Sequence, residues 1–158
     1  MKINQKIKVL KKIARELNQA HVTWAVGASM LLYFKGLTVD VHDLDLMIIE
    51  QDVDVAKKIL LNMGILHPTV IQSKYKTKVF LEFMIDEVEV DVMAGFSIEV
   101  NDKIINCSLE KDENIEFINL DGIEIPLQSV KQWFKYYEYM GRMDKVNAIQ
   151  KYLLSIEE

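Results

Sequence analysis

Cysteine is almost missing from this chain: Cys107 stands alone among 158 residues, so no disulfide can form within it and a reducing compartment suits it. A single thiol with no base near it in sequence reads as core filling rather than as a nucleophile. Proline and glycine are sparse, at two and six, and no repeat, low-complexity tract or linker breaks the chain, so residues 1–158 are expected to form one domain. An apolar run long enough to span a membrane is also lacking. The first twenty residues spread lysines through an amphipathic pattern where a secretion signal would need an unbroken apolar block. These absences predict a soluble, cytoplasmic protein. Positive charge is in deficit as well: 19 Lys and Arg against 24 Asp and Glu leave a formal net charge of -5. That balance argues against a general nucleic-acid binder, which needs a basic face for phosphates. It leaves room for a nucleotide recruited through a carboxylate-held cation.

Half of the residues are apolar, enough for a proper core without staples. Ile3, Ile7, Leu10, Ile13, Ala14 and Leu17 recur at helical spacing and predict a helix over 4–19. Residues 22–26 read as a short strand, Gly27 as a turn and 29–34 as a helix. A second strand is expected over 43–49, with Asp43, Asp45 and Met47 on one face and Leu44, Leu46 and Ile48 on the other. Val53, Ala56, Ile59, Leu60 and Met63 mark another amphipathic helix, with Gly64 placed as a left-handed cap. Strands over 77–84 and 88–94 are joined near Asp86 and Glu87, and a two-residue loop would set Glu82 opposite Asp91. Short strands follow over 104–107, 115–118 and 123–125. Ser129 can cap a helix reaching about residue 140, and 143–155 forms another after Gly141.

The strongest chemical signal is Asp43-Leu44-Asp45, because aspartates two apart on a strand project from the same face. Like charges a few ångströms apart raise each other's pKa unless a cation or solvent intervenes, so an inward-facing pair implies a metal or a wet cleft. The spacing alone is also compatible with an acidic solvent face. Asp91, between Val90 and Val92 on another strand, adds a third carboxylate where an exposed edge would more naturally carry Lys or Thr. Three carboxylates from two strands can hold the two ions of an in-line phosphoryl displacement, the third also deprotonating an attacking hydroxyl. Glu82 and Glu89 stand in reserve, and His42 adjoins the pair.

Trp24-Ala25-Val26-Gly27-Ala28-Ser29 ends a strand and opens a helix, offering free backbone N–H groups to a phosphate at Gly27, Ala28 and Ser29. Arg142 and Lys145 are cations that could reach a triphosphate or acceptor, or simply lie on the surface. Lys74, Lys76 and Lys78 alternate with Tyr75 and Thr77, as on either a nucleic-acid strip or a solvated, edge-protecting strand. Trp133, Phe134, Tyr136, Tyr137 and Tyr139 crowd one helix, for packing or for an acceptor pocket.

The order of these features resembles the nucleotidyltransferase superfamily, which includes DNA polymerase beta, the aminoglycoside and lincosamide nucleotidyltransferases, the minimal nucleotidyltransferases and the AbiEii-type abortive-infection toxins. Gly27 matches the family's first glycine, Asp43 and Asp45 its acidic pair, and Asp91 in Val-Glu-Val-Asp-Val its third acidic position, over about 24–95. Ile125-Pro126-Leu127-Gln128-Ser129, Lys135 and Gly141-Arg142 look like the C-terminal helical part, about 127–156, of the antibiotic-modifying and AbiEii-like branches. Two departures stand out: Ala28 replaces the expected Gly or Ser, and Asp144-Lys145 replaces Lys-Asp. The resemblance implies an α/β (α+β) domain with a mixed β-sheet flanked by helices. It further implies Mg2+ or Mn2+ on Asp43, Asp45 and Asp91, an NTP substrate, and a hydroxyl acceptor that is a small molecule, a protein or an RNA end. A homodimer is compatible with it. A non-catalytic, regulatory or antitoxin-like module of the same fold, and a metal-dependent phosphohydrolase, are the competing expectations.

Overall fold

The computed structural model of the protein describes residues 3–37, 40–68 and 76–157. A core of aliphatic side chains begins with the first helix, α1 (Ile3–Gln19), whose Val9, Leu10, Ile13, Ala14 and Leu17 are buried. The chain then runs through β1 (Trp24–Gly27), α2 (Ala28–Phe34), β2 (Leu44–Ile48), α3 (Val53–Leu61), β3 (Ile65–Leu66), β4 (Val79–Ile85) and β5 (Val88–Ala94). It continues with β6 (Ser97–Val100), β7 (Lys103–Asn106), β8 (Glu116–Leu120), β9 (Ile123–Leu127), α4 (Val130–Met140) and α5 (Met143–Glu157).

Seven strands form one mixed sheet in the order β3-β4-β5-β2-β1-β9-β8, while β6 and β7 pair apart from it. The β2–β5 and β1–β9 pairs are parallel, and the other pairs of the large sheet are antiparallel. Three hairpins are closed by two-residue turns at Asp86-Glu87, Asn101-Asp102 and Asp121-Gly122, all with positive φ. That backbone twist matches the twist of the flanking strands, and Asp, Asn and Gly tolerate it best. The first of these turns sets Glu82 opposite Asp91, as a two-residue loop predicts.

Helix α4 begins at a capping box: the Ser129 hydroxyl accepts from the Gln132 N–H, and the Gln132 side chain accepts from the Ser129 N–H. It ends at Gly141 in the left-handed conformation. Gly64 departs from expectation, for it has no positive φ. A Cβ there would lie 2.2 Å from the Met84 carbonyl oxygen, so the glycine serves the close approach of β3 to β4 rather than a helix cap. Strands β3 and β6 were not expected, and Asp43 sits just before β2 rather than inside it. Lys74 and Tyr75 lie outside the described residues. Lys76 pairs with Glu99 at 3.5 Å and Lys78 with Glu50 at 3.2 Å, both on exposed side chains. None of the described helices is long and apolar enough to cross a membrane.

Candidate active site

Strand register builds the site. Gly27 at the end of β1 lies opposite Asp45 on β2, Asp45 lies beside Asp91 on β5, and Asp91 lies opposite Glu82 on β4. Four adjacent strands thus carry these residues along one line across the sheet. The local sequence makes that line specific: Leu44 and Leu46 on either side of Asp45, and Val90 and Val92 on either side of Asp91, are buried in the core. A one-residue slip would drive both carboxylates into that core. Asp43, two residues before Asp45, completes the group.

Electrostatics follow from the crowding. Burial, reinforced by the Asp43 charge, pushes Asp45 up to about 7. Asp91 is pushed up to about 8 by burial first, then by the charges of Asp45, Asp43 and Glu82 and by a hydrogen bond with the Asp43 side chain. Glu89 is also raised, chiefly by its hydrogen bond to Asp43. Asp43 therefore touches two further carboxyl groups, and Asp45 and Asp91 hold on to protons near neutral pH unless a cation offsets the charge around them. Among the described residues, no three His, Cys, Asp or Glu side chains are gathered tightly enough to hold an ion as they stand. The oxygens share one cavity without forming a closed cage.

That cavity has a volume of about 500 Å³, and Ala28, Ser29, Asp43, Asp45, Asp91, Arg142 and Lys145 all line it. Of the acidic triplet, the Gly27-Ala28-Ser29 turn and the cations Arg142 and Lys145, all but Gly27 therefore line one cavity. Gly27 is the exception: the space its side chain would take is filled by the Trp133 indole, with Cζ2 2.6 Å from an ideal Cβ. Ala28 carries a left-handed φ of 53°, a conformation that an alanine adopts at a cost. Arg142 lies over the Tyr137 ring, 5.9 Å from its centroid, and its Nε is 3.5 Å from Asp144 Oδ1.

Other lining residues escaped the sequence reading. Asp40 adds a carboxylate, and Phe80 and Phe96 add apolar surface. Phe96 stacks on Trp133 at 5.9 Å between centroids, and Trp133 meets Tyr137 at 5.4 Å. The aromatic cluster on α4 was visible as composition, but its partner Phe96 comes from the β5–β6 connection and had no local signal. His42 also borders the cavity. Cys107 is buried, and burial pushes its thiol up to about 11, which suits a packing role.

No family model matches the sequence, and no curated protein resembles it significantly. Solved structures do. A Thermotoga maritima protein assigned as a nucleotidyltransferase, TM1012, superposes with a TM-score of 0.76 at 24% identity over 98% of this chain and 96% of its own. The chain has the nucleotidyltransferase fold. The same fold relates it to ANT(2")-Ia in complex with adenylyl-2"-tobramycin, at a TM-score of 0.63 and 10% identity over 94% of this chain and 90% of that one. A solution structure of the antibiotic-resistance factor ANT(2'')-Ia matches with a TM-score of 0.64 at 10% identity, over 97% of this chain and 85% of that one. Within this nucleotidyltransferase fold, the mixed sheet brings β2 and β5 side by side, and that adjacency is what unites carboxylates 46 residues apart in sequence.

Proposed function

We propose that the protein is a metal-dependent nucleotidyltransferase, moving a nucleoside monophosphate from an NTP to a hydroxyl on an acceptor. The observation that carries this reading is the lateral adjacency of Asp45 and Asp91, with Asp43 bonded to the latter, in a cavity that also contains Arg142 and Lys145. Hard carboxylate oxygens that keep protons for want of a countercharge fit Mg2+ or Mn2+, and Asp43, Asp45 and Asp91 would hold it. Bound there, such ions supply charge neutralisation on the phosphoryl oxygens and orient an in-line displacement.

The chain's own groups do the rest. Asp91 takes the proton of the acceptor hydroxyl as its oxygen bonds to the α-phosphorus, and the bond from that phosphorus to the bridging oxygen breaks to release pyrophosphate. Arg142 and Lys145 offset the negative charge that gathers on the leaving group. Backbone N–H groups at Ala28 and Ser29, following Gly27, meet the phosphates. The acceptor is a small molecule, a protein or an RNA end, and the named complex of ANT(2")-Ia makes small molecules the first class to try.

Ala28 favours a second reading, a non-catalytic binding module, because a strained alanine occupies the turn where the family carries Gly or Ser. Incubation with labelled ATP, GTP, CTP and UTP, Mg2+ and a cell lysate separates the two. The enzyme gives a labelled acceptor and released pyrophosphate, both lost in Asp45→Asn. A folded wild type that labels nothing would support the binding module, and acceptor-free phosphate release would indicate a phosphohydrolase.

A further inference from the structure

Gln128 is a polar side chain with no exposed surface, set among the aliphatic and aromatic residues of the core. Burying an amide there is unfavourable unless each polar atom is paired, and an aliphatic residue of the same size would avoid the difficulty. Its amide is paired in one specific way. Oε1 accepts from the Trp133 indole Nε1–H at 2.8 Å, Nε2 donates toward Glu113 Oε2 at 3.4 Å, and the backbone N–H donates to the Val26 carbonyl at 3.0 Å. The preceding Leu127 is the parallel register partner of Val26. The amide, the indole and Gly27 therefore meet at the adjoining ends of β9 and β1.

An indole has one donor, so a single well-placed acceptor fixes the rotation of the ring. The edge that Gln128 grips is the edge that approaches the backbone: Nε1, Cε2 and Cζ2 lie 2.8, 2.8 and 2.6 Å from where a Gly27 Cβ would be. The ring also meets Tyr136, Phe96 and Tyr137, and the last two line the cavity with it. A tilt of the ring would move that aromatic wall and press on β1 at the register partner of Asp45.

We infer that Gln128 is a positioning residue that locks the Trp133 indole against Gly27 and thereby fixes the aromatic wall of the nucleotide cavity. The inference rests on the nucleotidyltransferase reading above, and it adds a residue that touches neither the carboxylates nor the cavity. Gln128 acts through Trp133, so its effect disappears when the indole N–H is removed by another route.

Calorimetric titration of the full chain with the Mg2+ complexes of ATP, GTP, CTP and UTP tests this, using wild type, Gln128→Met, Gln128→Glu, Trp133→Phe and the Gln128→Met/Trp133→Phe double variant. Gln128→Met is expected to weaken binding about tenfold through displacement of the wall. Gln128→Glu, which in its neutral form keeps both an acceptor for the indole and a donor toward Glu113, is expected to restore wild-type affinity. The double variant is expected to bind no more weakly than Trp133→Phe alone. In a Trp24→Phe background the one remaining indole N–H resonance should shift and exchange faster with solvent on Gln128→Met, a readout that needs no nucleotide. Wild-type affinity in a folded Gln128→Met, or additive losses in the double variant, would overturn the positioning role. Should Gln128→Met fail to fold, a Gln128→Glu variant that binds poorly despite an unchanged indole resonance overturns it equally. A wild type that binds none of the four nucleotides overturns the nucleotidyltransferase reading itself, a result distinct from any difference among variants.

Discussion

At the scale of single residues, the carboxylates are held in tension. Asp45 and Asp91 are raised from an ordinary value of 3.8 to about 7 and about 8, so the folded chain binds protons there that the unfolded chain releases. The sign follows from linkage: in the absence of a divalent cation, the stability these groups permit is fully present below about pH 4 and is lost as pH rises through about 8. Asp45→Asn is therefore expected to melt higher than wild type at pH 8, by on the order of 5 °C, in metal-free buffer. The advantage should shrink toward pH 4 and in saturating Mg2+, and thermal melts across that range check it. Ala28 stores strain of another kind. Replacing it with glycine removes the steric penalty of its positive φ, and Ala28→Gly should gain about 0.5–1 kcal/mol in urea unfolding despite the looser unfolded chain. Asp45 and Asp91 were legible as a pair because each sits between core-facing residues of a strand, so both project from the other face; Asp43 joins them from just before β2. Gln128 and Asp40 were not, since nothing local separates a buried amide or a cavity-lining carboxylate from a surface one.

At the scale of elements, local signals that close within a few residues carried through. The Ser129 cap, the helix break at Gly141 and the Asp86-Glu87 turn each depend on contacts inside a four-residue window, and each is found where the sequence places it. Features that depend on a partner far along the chain did not. Strand β3 is two residues that extend only because β4, some way along the chain, lies beside them. Gly64 shows the same limit: its place after a helix suggests a cap, whereas the constraint comes from the Met84 carbonyl across the sheet. Gly64→Ala should accordingly destabilise by about 1–3 kcal/mol, since backbone rather than a flexible side chain must give way. A left-handed cap with open space around it would cost about the same but leave the β3–β4 pairing intact. Amide hydrogen exchange at His67, whose N–H donates to the Glu82 carbonyl at 2.8 Å, distinguishes the two.

At the scale of the whole molecule, the parallel β2–β5 pair turns a sequence pattern into a site. Residues 45 and 91 are separated by α3 and the two strands β3 and β4, and the crossover returns the chain in a register that lines up two carboxylates beside Gly27. The nucleotidyltransferase fold was readable because its acidic pair, its glycine turn and its third acidic strand occur in an order few other folds share. The shape of the cavity was not readable, because α4 and the β5–β6 connection supply its aromatic wall from distant sequence. The central claim is that these carboxylates together hold a divalent ion for a nucleotide. Its most direct test is Mn2+ titration followed by electron paramagnetic resonance, with a non-hydrolysable ATP, GTP, CTP or UTP analogue present, on wild type and on Asp43→Asn, Asp45→Asn and Asp91→Asn. The account predicts protein-bound Mn2+ in wild type and a loss of affinity of about tenfold or more in each variant. Mn2+ binding that is absent from wild type, or unchanged by all three substitutions, would contradict it.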